Sequence, residues 1–228
     1  DLHEEAKDSL RRVYEVPDDY EVLLLQGGAS TQFAAVPLNL IGQGDSADYV
    51  CTGRWSEKAI EEAAALGKSH RVAATSQDRD YSYVPQQAQL QLDKGATYLH
   101  ITLNNTIFGT RFGTFPEAGN VPLVVDASSD MLSRPLKWDG LGLLYGSAQK
   151  NAGISGLTVV CLRRDLIPCR SRNVPKMLRY DTHAEAQSLF NTPPTFAVLL
   201  LSLILQWIED RGGLEAVSED NERKAAVL

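Results

Sequence analysis

Cysteine is scarce. The chain has three, Cys51, Cys161 and Cys169, an odd number without a CxxC pair. That excludes a disulfide framework and predicts buried or free thiols in a reducing compartment such as the cytoplasm. Histidine is almost as sparse. His3, His70, His100 and His183 form no pair at i, i+3 or i, i+4, so no zinc signature is present. Positive charge is also short, with 22 Lys and Arg against 29 Asp and Glu and a net charge of −7. A phosphate-tracking surface needs clustered cations, so nucleic acid is excluded as a partner. The long apolar stretch, residues 196–208, contains Ser202 and Gln206 and is too short to span a bilayer. The start carries no basic-then-apolar leader, and no repeat or low-complexity tract is visible.

What is present fits one globular domain, or one large domain of a bigger protein, with 228 residues and a substantial core. Apolar periodicity predicts an amphipathic helix over 2–14, from Leu2, Ala6, Leu10, Val13 and Tyr14. Short apolar runs predict strands over 21–26, 47–52, 70–74, 96–103, 121–126, 141–145 and 156–162. Helices are expected over about 32–40, 57–66, 194–210 and 214–228, with the third closed by Gly212-Gly213. Residues 75–95 and 170–190 read as irregular. Strands alternating with helices argue an α/β domain with a mostly parallel sheet, and the runs at 141–145 and 156–162 are close enough to pair as a hairpin.

Polar clusters follow the apolar runs. Gly27-Gly28-Ala29-Ser30-Thr31 has the layout of an anion site, with glycines that allow close approach and a helix start that offers free N–H groups. The alternative is a plain turn with Ser30 or Thr31 as an N-cap. Gly53-Arg54-Trp55-Ser56 places an aromatic ring just past a strand, where it either stacks on a flat ligand or packs half-buried. Asn104-Asn105-Thr106 ends a third run, and Asp126-Ala127-Ser128-Ser129 ends a fourth. Tyr145-Gly146-Ser147-Ala148-Gln149-Lys150-Asn151 ends a fifth in a lysine. Singly, such a lysine is a loop lysine and such an aspartate a helix cap. Together, at the shared carboxyl edge of an open α/β sheet, they are the minimum equipment for pyridoxal phosphate chemistry. The lysine would form a Schiff base, and the aspartate would keep a pyridine nitrogen protonated.

These pieces, with Gln32-Phe33-Ala34-Ala35-Val36-Pro37-Leu38-Asn39-Leu40 and Phe190-Asn191-Thr192-Pro193-Pro194, occur in an order that closely resembles the phosphoserine aminotransferase family. These are fold-type I, class V pyridoxal phosphate enzymes of serine biosynthesis. The resemblance implies that Lys150 is the catalytic Schiff-base lysine and that Asp126 pairs with the pyridinium nitrogen. It implies that Trp55 stacks on the ring and that Thr106 meets the phenolic oxygen. Ala29, Ser30 and Gln149 would bind the cofactor phosphate. The family turn is richer in glycine, often with Arg or Cys where Ser30 stands, but backbone N–H contacts survive that change. Asn191 and Thr192 would reach the partner's cofactor phosphate, which implies a homodimer with shared sites.

The implied reaction interconverts O-phospho-L-serine and 2-oxoglutarate with 3-phosphohydroxypyruvate and L-glutamate, with ping-pong kinetics. Residues 1–228 would be the large domain. A preceding segment with a His-Arg pair for the substrate phosphate and a small C-terminal domain with a carboxylate-binding arginine would be missing. Such a fragment is expected to bind cofactor weakly and turn over poorly. Two other readings stand beside this one. One is another class V enzyme, of the alanine–glyoxylate aminotransferase or cysteine desulfurase type. Trp55 and the lack of a Cys-bearing loop weigh against a desulfurase. The other is a non-catalytic interaction domain, against which the intact set of Trp55, Thr106, Asp126 and Lys150 weighs.

Overall fold

A computed structural model describes residues 1–227. In chain order the elements are α1 (Leu2–Val13), β1 (Tyr20–Gly27), α2 (Ala29–Leu40), β2 (Ala47–Cys51), α3 (Arg54–Ala65), β3 (His70–Thr75), β4 (Leu99–Thr102), β5 (Asn104–Asn105), β6 (Thr110–Arg111), β7 (Leu123–Asp126), β8 (Leu141–Ser147), β9 (Gly156–Arg163), α4 (Tyr180–Glu185), α5 (Thr195–Asp210) and α6 (Gly213–Ala225). Seven strands form one sheet in the order β1-β9-β8-β7-β4-β2-β3. Pairings within β3-β2-β4-β7-β8 are parallel, while β9 runs antiparallel to both β8 and β1. Every strand of this sheet but β9 therefore points the same way, and their carboxyl ends share one edge.

The central strands read as unbroken apolar runs because both faces of the sheet are covered. Successive residues alternate between two cores. Leu24, Val125, Leu144 and Val159 pack with Leu10 of α1 and with Leu201 and Leu205 of α5. Val124, Leu143 and Val160 pack on the other side with Phe33 and Val36 of α2 and Ala59 and Ala63 of α3. Burying each such Leu, Val or Phe side chain contributes roughly 1.5–3 kcal/mol, so the sheet centre is the most rigid platform the chain has. α1 begins where Asp1 Oδ1 accepts the His3 N–H at 3.0 Å, an N-cap that sets its register.

Several expectations are corrected. α3 starts at Arg54, three residues before the apolar pattern does, because Ser56 Oγ donates to the Gly53 carbonyl at 2.8 Å and accepts the Thr52 N–H at 2.9 Å. Trp55 thus lies in the first helical turn. Neither Ser30 nor Thr31 caps α2, which begins at Ala29 behind Gly28 with no side-chain cap. Part of the 170–190 segment is ordered as α4. Asn39 and Gln32 of α2 capture it: Asn39 accepts the Tyr180 N–H at 3.0 Å, and the Tyr180 hydroxyl donates to Gln32 at 2.7 Å. Ser188 Oγ accepts the Leu24 N–H at 3.1 Å, which covers the exposed flank of edge strand β1. Asn104 and Asn105 form a two-residue antiparallel ladder with Arg111 and Thr110, in keeping with the turn or hairpin that Gly109-Thr110-Arg111-Phe112-Gly113 suggests. Gly212 caps the next helix, α6, rather than only ending α5. The three thiols are free, with Cys51 and Cys161 buried. Among the described residues no helix is long and apolar enough to cross a membrane.

Candidate active site

The carboxyl edge of the sheet gathers all five polar clusters, and hydrogen bonds join four of the segments that carry them. The segment after β2 meets the one after β4 where Asn105 Nδ2 donates to Thr52 Oγ1 at 2.8 Å. The segment after β4 meets the one after β7 through Ser129, which accepts from Asn104 Nδ2 at 3.0 Å and donates to the Asn104 carbonyl at 2.9 Å. The segment after β7 meets the end of β8 where the Ser147 N–H donates to Ser128 Oγ at 3.2 Å. The Ser147 hydroxyl in turn stands 3.2 Å from where a Cβ on Gly28 would lie, beside the start of α2. The last approach crosses β9, which starts at Gly156 along this edge and so leaves β1 and β8 neighbours above it.

Asp126 ends β7 and is 4% exposed. Its Oδ1 accepts from the Ser128 hydroxyl at 2.6 Å and the Ser128 N–H at 3.0 Å. No cation pairs with it among the described residues. Burial pushes its carboxyl above the ordinary range, and the two bonds from Ser128 pull it part of the way back. A desolvated carboxylate with no counter-charge is expensive in a folded chain and is typical of a site that awaits a cationic group.

Lys150 follows β8 on the turn 148–152, with an exposed side chain that makes no hydrogen bond or ion pair among the described residues. β7 and β8 are paired in parallel, with Asp126 opposite Tyr145, so acid and lysine leave adjacent strands at the same edge. Gln149, also exposed, accepts a hydrogen bond from the Ser147 hydroxyl. Ala29 and Ser30 open α2, whose first N–H groups have no side-chain acceptor. Trp55 is half-buried, with Lys58 Nζ 4.9 Å from its ring centroid. Thr106 is exposed on the turn between β5 and β6. Asn191 and Thr192 lie against the end of β1, where the Gln26 amide donates to the Thr192 carbonyl.

The edge thus brings together the starts of α2 and α3, Asn105, Asp126, Gln149 and Lys150. Residues 191–192 join it from a distant part of the sequence. A planar, anionic group with a basic ring nitrogen fits this donor set. The carboxylate lacks a cation, the helix start lacks an anion, and Asn105 Oδ1 is buried without a partner. Sequence reasoning did not single out Ser128, Ser147, Thr52 or Asn105 as site residues. The small polar residues that end the runs at 124–129 and 141–151 were the available signal for the two serines.

Comparison with known proteins bears on the family and the fold. The family model for class-V aminotransferases matches residues 1–228. The chain is 48% identical over 228 residues to the phosphoserine aminotransferase of Alkalihalobacillus alcalophilus, covering 100% of this chain and 63% of that protein. The solved phosphoserine aminotransferase from Bacillus circulans subsp. alkalophilus is similar with a TM-score of 0.95 at 47% identity, over 99% of this chain and 62% of that one. The pyridoxal phosphate-bound phosphoserine aminotransferase from Trichomonas vaginalis matches with a TM-score of 0.92 at 36% identity, over 99% and 63%. The chain therefore spans about 63% of the length of the curated relatives it matches.

Proposed function

The chain belongs to the class-V aminotransferase family, and we propose that residues 1–228 are the pyridoxal phosphate-binding large domain of a phosphoserine aminotransferase. The proposed net reaction interconverts O-phospho-L-serine and 2-oxoglutarate with 3-phosphohydroxypyruvate and L-glutamate. The observation that carries this reading is the placement of Asp126 and Lys150 at the ends of adjacent parallel strands, joined through Ser128 and Ser147.

The donor set fits the cofactor. The N–H groups of Ala29 and Ser30 and the Gln149 amide would hold its phosphate. Trp55 would cover one face of the ring, and the Thr106 hydroxyl would meet its phenolic oxygen. When bound, pyridoxal phosphate supplies a carbon that exchanges amino groups and a protonated ring that accepts an electron pair. Asp126 holds the proton on the ring nitrogen, and its buried position strengthens that ion pair. Lys150 supplies the amine that anchors the group, and later the base that moves a proton at the substrate carbon. Trp55 excludes water from the ring face. In a homodimer, Asn191 and Thr192 extend the phosphate cup of the partner. The three free thiols support a reducing compartment, and the cytoplasm is the one this reading assigns.

The test is a visible absorption titration of the full-length protein with pyridoxal phosphate, with Lys150→Ala as control, followed by an assay of glutamate release from glutamate's reverse partners, phosphoserine and 2-oxoglutarate. A band lost in Lys150→Ala and turnover that needs the substrate phosphate support the reading. A band that survives in Lys150→Ala, or equal turnover of serine and phosphoserine, would end it.

A further inference from the structure

Two serines outside the proposed contact set form a directed hydrogen-bond chain across the site. The Ser128 hydroxyl has one proton, and Asp126 Oδ1 takes it at 2.6 Å. Its oxygen accepts the Ser147 N–H at 3.2 Å, which fixes the hydroxyl rotor from the other side. The Ser147 hydroxyl is turned the opposite way and donates to Gln149 Oε1. A Gln side chain has one acceptor end and one donor end. With its oxygen engaged by Ser147, the Gln149 NH2 is the end left free. The Ser147 hydroxyl also sits 3.2 Å from the Cβ position of Gly28, so this choice is made beside the N-terminus of α2.

We infer that Ser128 and Ser147 are positioning residues, a two-serine relay that aims the Asp126 carboxylate at one end of the cofactor site and the Gln149 NH2 group at the other. The inference rests on the cofactor reading above. An anion at the α2 N-terminus is attracted by an amide NH2 and repelled by an amide oxygen, so the orientation of Gln149 decides the sign of its contribution. The relay is not needed to hold the strands. Ser147 pairs with Thr158 in the β8–β9 ladder, the Ala148 N–H donates to the Leu157 carbonyl at 2.9 Å, and the Ala127 N–H donates to the Tyr145 carbonyl at 2.8 Å. Ser147 is 2% exposed and packed, so removing its oxygen leaves the backbone framework as it is.

The experiment compares affinity for pyridoxal phosphate and for pyridoxal, which lacks the phosphate, in the full-length protein. Thermal midpoints are recorded in parallel. Ser147→Ala is expected to weaken pyridoxal phosphate about tenfold, as befits a lost hydrogen bond to an anion, with pyridoxal affinity and the midpoint unchanged. In a Gln149→Leu background the same substitution should have no effect, because Ser147 acts through Gln149. Ser128→Ala should weaken both ligands and move the acid limb of binding to higher pH, because Asp126 loses a bond that favours its charged form. Equal losses for both ligands in Ser147→Ala, or a full loss in the Gln149→Leu background, would overturn the relay. So would wild-type affinity in Ser147→Ala. Wild-type protein that binds no pyridoxal phosphate would instead end the cofactor reading on which the relay depends.

Discussion

Asn105 and Thr52 meet side chain to side chain at 2.8 Å, so that the segment after β4 is buttoned to the segment after β2 through a buried contact. Gly53 makes this possible. Its φ of 147° lies where residues with a Cβ are rarely found, and a Cβ there would stand 2.8 Å from Asn105 Oδ1 and 2.8 Å from Phe108. Gly53→Ala is therefore expected to destabilise the chain by about 2–3 kcal/mol through backbone strain and crowding. The thermal midpoint should fall by roughly 5 °C for a chain of this size. A denaturant midpoint equal to that of the wild type would refute the strain assigned to this turn.

Asp126 sets function against stability. Its carboxyl is raised by burial, so the folded chain without cofactor holds protons more tightly than the unfolded chain does. The sign follows from linkage. The stability that Asp126 contributes to the cofactor-free chain is fully present below the ordinary aspartate value of 3.8, and it is lost as pH rises through the folded value. Asp126→Asn should then raise the melting temperature of cofactor-free protein at pH 7, with the gain vanishing toward pH 3. The same variant should lose most of its affinity for pyridoxal phosphate. A cofactor-free variant that melts below the wild type at pH 7 would show that the acid is not the burden its surroundings make it.

The three tryptophans occupy distinct places, which makes fluorescence a site-specific probe. Trp138 is fixed in the core edge, where its ring nitrogen donates to the Tyr14 carbonyl at 2.9 Å. Trp207 lies exposed on α5 against Arg211, whose guanidinium is 4.7 Å from the ring centroid. Trp55 alone stands at the carboxyl edge of the sheet. Addition of pyridoxal phosphate should quench about a third of the emission, and Trp55→Phe should abolish the quenching while leaving the other two signals. Undiminished quenching in Trp55→Phe would remove Trp55 from the ring face.

Much of this arrangement is legible in the sequence because its physics is local. The apolar runs 121–126 and 141–145 become β7 and β8, and the acid and lysine that follow them land at one edge by the geometry of parallel strands. What stays hidden depends on contacts far apart in the chain. α4 forms because Tyr180 finds Gln32 and Asn39, more than a hundred residues earlier, and no local periodicity announces that. The start of α3 hides for a different, local reason, since a polar contact from Ser56 to Gly53 three residues earlier closes the turn where no apolar stripe marks it. The two-serine relay is invisible in the sequence because small polar residues after strands carry no sign of which way their hydroxyls point.

His100 offers the sharpest pH test of the core beneath the site. It lies on β4, with its Nε2 2.9 Å from the Tyr145 hydroxyl and its ring 5.1 Å from that of Tyr49, which bonds Tyr98 in turn. Among the described residues no charged side chain bonds to it, and burial pulls its pKa down from 6.5 to about 3. The folded state therefore keeps the ring neutral, while the unfolded chain takes up a proton below pH 6.5. The stability this residue contributes is complete above 6.5 and is lost as pH falls toward about 3, a loss on the order of 2 kcal/mol by pH 5. His100→Gln keeps a polar group near Tyr145 without a titrating proton. Urea midpoints of the two proteins should differ most at pH 7, with the wild type losing ground to the variant as pH falls to 5. Carboxylates common to both cancel in that difference, so a gap that stays constant between pH 7 and 5 would mean that the buried ring titrates as freely folded as unfolded.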